Sequence, residues 1–207
     1  MQRLWQQKLK LNYSKDVVDI VQFGSSVIEG KEYRDVDIAV IFHNISFKEQ
    51  LDQAYEVKKQ LANLINKDKE IHISQFDFYS LLNASNFARE GILFYGKSLL
   101  TGKNFAFRFG LKPVLQILYN LEKFEKKDKV RFHYLLRGKG GKYGLLRKYD
   151  GRLVKPGMIE IAPEYEDVFV TAISGVIKDF EVRKIFVAEM FGKKYKTFVT
   201  SIRRDEK

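Results

Sequence analysis

Two carboxylates at i and i+2, Asp35 and Asp37, stand nine residues beyond a glycine-serine turn, Gly24-Ser25-Ser26. On a strand, alternate side chains share a face, so the two aspartates would project together about 7 Å apart along the backbone. Two carboxylates on one face can bridge divalent ions. A pair of ions roughly 4 Å apart can activate an attacking hydroxyl and hold a triphosphate for in-line displacement of pyrophosphate. Gly24 would let the backbone turn sharply and approach a ligand, while Ser25 and Ser26 offer hydroxyl and amide donors to phosphate oxygens. The chemistry that suits this set is nucleotidyl transfer, with Mg2+ or Mn2+ as cofactor and an NTP as substrate.

The strands and helices around these groups can be read locally. Val17 to Phe23 is an apolar, β-rich run ended by Gly24, and Val36 to Phe42 is a second of ordinary strand length. Val36 and Ile38 would point away from the aspartates and anchor the strand. Ser46-Phe47-Lys48-Glu49 matches a capping box, so a helix is expected from Phe47, with Phe47, Leu51, Tyr55, Leu61 and Ile65 as its apolar stripe. Glu70 to Phe76 reads as a third strand, with Ile71 and Ile73 on one face and Glu70, His72 and Ser74 on the other. Residues 1 to 13 suggest a short helix anchored by Leu4, Leu9 and Leu11.

Phe23-Gly24-Ser25, the nine-residue spacer and Asp35-Val36-Asp37-Ile38 resemble the signature of the DNA polymerase β-like nucleotidyltransferase superfamily, above all its small prokaryotic members. The resemblance covers roughly the first 100 residues and extends to Glu90-Gly91-Ile92-Leu93-Phe94-Tyr95-Gly96, which looks like the segment that closes the minimal domain. It implies that Gly24 and Ser25 bind the nucleotide's phosphates and that Asp35 and Asp37 hold the metal. It also implies a third carboxylate on a later strand. Glu70 is the preferred residue for that place, with His72 and Asp77 as alternatives. A histidine there would be a poor magnesium ligand.

The 207 residues carry a net charge of +11, unevenly spread: residues 1–103 hold 14 basic against 13 acidic residues, and residues 104–207 hold 23 against 13. A domain boundary is expected in Thr101-Gly102-Lys103-Asn104, giving a nucleotidyltransferase domain (1–103) and a basic α+β domain (104–207). A helix is expected from Leu111 to Phe124, with Pro113 in its first turn. Met158 to Ala162 and Val182 to Val187 read as strands flanking a helix around Glu164 to Ile173. Arg137 to Gly144 is rich in glycine and lysine but fits no P-loop, because Tyr143 stands where a magnesium-binding Ser or Thr belongs. Basic and aromatic residues alternate around it, among them Lys129, Arg131, Tyr134, Lys139, Lys142, Tyr143, Arg147 and Lys148, a pattern that can follow a phosphate backbone and stack bases of RNA or single-stranded DNA.

The chain has no cysteine, which excludes disulfides, thiolate metal sites and thiol nucleophiles. No apolar stretch approaches the roughly 20 residues of a membrane span, and the first residues lack a signal-peptide core, so a cytoplasmic protein without membrane contact is expected. The expected fold class is α/β (α+β), a mixed sheet with helices followed by a small basic α+β domain. The expected function is transfer of NMP from an NTP to a hydroxyl. The rival expectations are a nucleotide- or nucleic-acid-binding module without turnover, and the nucleotidyltransferase partner of a toxin-antitoxin pair.

Overall fold

Strands β1 (Val17–Phe23) and β2 (Asp35–Phe42) pair antiparallel across the Gly24 turn, with Phe23 opposite Asp37, in a computed structural model that describes residues 4–7, 9–65, 68–190 and 193–194. The chain leaves β2 through α1 (Phe47–Ala62) and returns in β3 (Glu70–Asp77), parallel to β2. After α2 (Phe78–Leu82) come α3 (Ala88–Glu90) and a π-helical turn, Gly91–Tyr95. The short β4 (Lys97–Ser98) then closes the sheet, whose order is β3-β2-β1-β4. These elements form the first of two compact units, Met1–Phe109.

Strand β2 is covered on both faces, and the division of its side chains explains where the aspartates lie. Val36, Ile38, Val40 and Phe42 enter one core cluster with Ala54, Val57 and Leu61 of α1. Ala39 and Ile41 enter a second cluster with Leu81, Ile92 and Phe105 on the opposite face. Asp35 and Asp37 belong by alternation to that opposite face, at the end of the strand where its cover stops, and both remain partly exposed.

Helix α1 starts at Phe47 under a complete capping box: the Ser46 side chain accepts from the Glu49 amide, and the Glu49 side chain accepts from the Ser46 amide. Its buried face agrees with the expected one only at the far end, where Leu61 is buried and Ile65, just past the helix, packs on the core. Gln50, Ala54, Val57 and Leu61 turn inward, whereas Phe47, Leu51 and Tyr55 are exposed at 65%, 44% and 59%. The small Ala54 lets the helix lie close on the sheet. The N-terminal helix expected over residues 1 to 13 reduces, among the described residues, to one 3-10 turn at Leu4–Gln6. Leu4 of that turn, and Leu9 and Leu11 of the non-helical chain after it, still pack on the core, and Asn12 is tied to α1 by two hydrogen bonds with Gln60.

The turn Thr101-Asn104 stays within the first unit. It is followed by a 3-10 turn, Phe105–Phe109, whose Phe105 is buried and whose Arg108 reaches the buried Asp19. The second unit begins at Gly110. Its first element is β5 (Leu111–Tyr119), a strand where the sequence suggested a helix. Short apolar runs have no decisive period, and the partners decide: β5 lies between β7 (Met158–Ile161) and β8 (Phe180–Met190) and buries five residues in succession. Pro113 is tolerated because β7 pairs only from Leu115 onward, leaving that side of the strand without a neighbour at Pro113. Outside these run β6 (Arg152–Lys155) and β9 (Lys193–Lys194), giving the order β6-β7-β5-β8-β9. The helices are α4 (Lys126–Arg137), α5 (Leu145–Lys148) and α6 (Glu166–Ser174). The chain is therefore a mixed α+β protein with two small sheets. No helix among the described residues is long and apolar enough to cross a membrane.

Candidate metal centre

Strand register brings the candidate ligands together. β2 and β3 run parallel with Asp35 opposite Glu70 and Asp37 opposite His72, so all four side chains belong to one face at one end of the sheet. The His72 Nδ1 atom lies 3.4 Å from a carboxylate oxygen of Asp35 and 3.7 Å from one of Asp37. One ligand atom from each of Asp35, Asp37 and His72 can be chosen so that all lie within 4.8 Å of one another. Two ligand atoms each about 2.1 Å from one ion are at most about 4.2 Å apart, so a small inward closure suffices for a shared cation.

The structure gives the place level with Asp37 to His72. Glu70 is one step further out, 77% exposed, with its carboxylate 3.6 Å from His72 Nε2. Once Nδ1 faces a cation, Nε2 carries the proton, and Glu70 stands where it can orient the ring. Asp77 is at the other end of β3, opposite Phe42, and caps α2 by accepting from the Ser80 amide at 2.7 Å. That backbone hydrogen bond, with the Ser80 hydroxyl beside it, holds the Asp77 carboxyl below its ordinary value.

Asp37 behaves oppositely. Burial pushes its carboxyl above the ordinary value, the charge of Asp35 adds to this, and His72 opposes both. A cation between the carboxylates would remove the strain of holding two like charges together.

Gly24 is fixed by this centre as well as by its turn. It has φ +71°, and a Cβ built there would stand 2.2 Å from Asp37 Oδ2. Glycine is thus required both for the left-handed backbone and for the approach of the turn to the carboxylate. Gly24→Ala is expected to cost about 1–2 kcal/mol of stability through the backbone alone and to push Asp37 out of register with His72. Metal titration of a folded Gly24→Ala protein should show weakened binding; wild-type affinity would mean that Asp37 does not need the gap.

The two serines separate. Ser25 is half-buried in the 3-10 turn Gly24–Val27. Ser26 is fully buried; its hydroxyl donates to the Phe23 carbonyl and accepts from Gln22 Nε2, both at 3.0 Å. The Ser26 hydroxyl therefore fastens the turn from inside, and Gln22 in turn accepts from the Trp5 amide.

One residue that the sequence did not mark is Lys69. Its ammonium donates to the Tyr33 carbonyl and lies 4.5 Å from the centre of the Tyr33 ring, binding the chain that leads into β2 to the start of β3. This contact holds Asp35 and Glu70 level, and no local pattern signals it. No protein-family model, no curated protein and no solved structure matches the chain.

Proposed function

We propose that the first unit is a divalent-metal-dependent nucleotidyltransferase that moves NMP from an NTP to a hydroxyl and releases pyrophosphate. The observation that carries this reading is the packing of the Gly24 turn against the Asp37 carboxylate, with Asp35 and His72 on the same open sheet end. A phosphate-binding turn and a cation-binding pair are useful together only for a ligand that brings both phosphate and metal. When bound, the cation neutralises the phosphates and favours attack on the α-phosphorus. Asp35, Asp37 and His72 would hold it, Glu70 would orient His72, and Gly24 and Ser25 would present backbone amides to the phosphate oxygens. The acceptor hydroxyl oxygen forms the new bond to the α-phosphorus and releases its proton to solvent as the bond from that phosphorus to the bridging oxygen of the β-phosphate breaks and pyrophosphate leaves.

An imidazole in place of the third carboxylate has a consequence for metal choice. Magnesium favours oxygen ligands, whereas manganese accepts a nitrogen more readily. Activity should be greater with Mn2+ than with Mg2+, and His72→Asp should shift that ratio toward Mg2+ by roughly an order of magnitude. A ratio unchanged in His72→Asp would place His72 outside the coordination shell.

The same imidazole favours a second reading, a domain that binds metal and nucleotide without transferring it. Incubation of the full chain with α-labelled NTPs, Mn2+ and total cell RNA or protein separates the two. Label transferred to an acceptor with release of pyrophosphate supports the enzyme, and tight metal-dependent nucleotide binding without either product supports the binder.

A further inference from the structure

Between Lys126 and Arg152 the chain carries ten lysines and arginines against two aspartates. Within the second unit, α4, α5 and the loop between them present this excess in an ordered way. Helix α4 turns Phe132 and Leu136 inward and leaves Lys127, Arg131 and Tyr134, at i, i+4 and i+7, exposed along one face. Gly138, at φ +92°, stops the helix and opens a loop whose ends touch. A Cβ at Gly138 would stand 1.9 Å from the Lys142 carbonyl oxygen, and one at Gly144 would stand 2.4 Å from the Gly138 nitrogen. Glycine is therefore required at both ends to close the base. Gly140 and Gly141 have open space around them, and Lys139, Lys142 and Tyr143 are all exposed. The glycine- and lysine-rich segment thus has a closed base and an exposed tip.

Two exposed aromatic rings accompany these charges. The Lys139 ammonium lies 4.9 Å from the centre of the Tyr134 ring, and the Arg147 guanidinium lies 4.0 Å from that of Tyr143. Tyr134 is 39% exposed and Tyr143 64%. Among the described residues no carboxylate forms an ion pair with Arg131, Lys139, Lys142 or Arg147. Four cations without a balancing carboxylate would attract any polyanion. Accessible rings held beside cations ask for something further, a partner with flat apolar faces between its negative charges.

We infer that the surface formed by α4, the Gly138–Gly144 loop and α5 docks single-stranded nucleic acid. Backbone phosphates run over Arg131, Lys139, Lys142 and Arg147, while Tyr134 and Tyr143 stack on unpaired bases. A duplex keeps its bases stacked on one another and offers these rings nothing. This docking surface belongs to the second unit alone and is independent of the metal centre.

Fluorescence anisotropy of the full chain with short labelled oligouridylate, oligothymidylate and a duplex tests it. Single strands should bind more tightly than the duplex. With four phosphates neutralised, affinity should fall roughly fiftyfold between about 50 and about 200 mM salt. Lys139→Glu with Lys142→Glu should weaken binding at least about tenfold and flatten the salt dependence. Tyr134→Ala with Tyr143→Ala should weaken it about tenfold or more with the salt dependence kept. The same charge change at the exposed Lys48 and Lys58 of α1 controls for net charge and should have little effect. Oligouridylate bound above oligothymidylate would identify RNA as the ligand, and the reverse would identify DNA. The inference is overturned by absence of binding at low salt, by equal affinity for the duplex with no dependence on the tyrosines, or by equal loss from the Lys48 and Lys58 reversals. Circular dichroism matching the wild type would show that each exposed variant is folded.

Discussion

Replacing Asp37 with asparagine is expected to lower nucleotidyl transfer by about two to four powers of ten, the loss of roughly 3–5 kcal/mol of transition-state stabilisation when a metal ligand is removed. The fold should survive and become somewhat firmer without metal. Asp37 is held above its ordinary carboxylate value by burial and by Asp35. A raised acid is stabilised in its protonated form, so its charge works against the metal-free fold. That penalty appears as pH rises through the interval between the ordinary value and the raised one, and it is fully present above the raised one. The asparagine amide carries no such charge. The melting temperature of the metal-free Asp37→Asn protein at neutral pH should therefore equal or exceed the wild type's by up to a few degrees, while Mn2+ should raise the wild type's and leave the variant's unchanged. A variant that is both inactive and markedly less stable would make Asp37 a structural residue.

The second large effect is on stability and lies further along the sheet, where Asp19 of β1 stands opposite Ile41 of β2. Asp19 on β1 is fully buried, accepts from the Ser98 hydroxyl at 2.6 Å, and is paired with Arg108 of the Phe105–Phe109 turn. Arg108→Ala would leave a fully buried carboxylate without its paired guanidinium. Breaking a buried pair this way costs about 3–5 kcal/mol; the lower end applies because the Arg108 side chain is 38% exposed. The unfolding transition of the first unit should fall by roughly 10–20 °C. Asp19→Asn in the same chain should recover part of the loss, since the amide removes the stranded charge and can still meet Ser98. Arg108→Ala without effect on melting would show that water reaches Asp19. The same turn places Phe105 over the face of β2 that ends in Asp35 and Asp37, so its loosening should also weaken metal binding.

What could be read from the sequence follows from the range of the forces involved. The glycine turn, the two strands around it, the capping box at Ser46 and the shared face of Glu70 and His72 are local patterns, and each lies where the period and the turn chemistry place it. The choice between Glu70 and His72 is not local. It depends on the parallel register of β2 and β3, set across more than thirty intervening residues and fastened by Lys69 on Tyr33. The buried face of α1 was hidden for a related reason: large apolar residues suggest a core stripe, but close packing on the sheet selects Ala54 and leaves Tyr55 outside. Ser26 looks like a phosphate donor beside Ser25, and only the buried Gln22 side chain shows where its hydroxyl is used. At Leu111 to Tyr119 the apolar run suits helix and strand alike, and its two neighbouring strands begin only at Met158 and Phe180.

The most direct test of the centre is calorimetric titration of the full chain with Mn2+ and a non-hydrolysable NTP, repeated on Asp35→Asn and Asp37→Asn. Nucleotide binding that requires Mn2+ in the wild type and is lost in both variants is the expected result. Unchanged metal and nucleotide affinity in both variants would contradict it and leave the two aspartates as a solvated strand end.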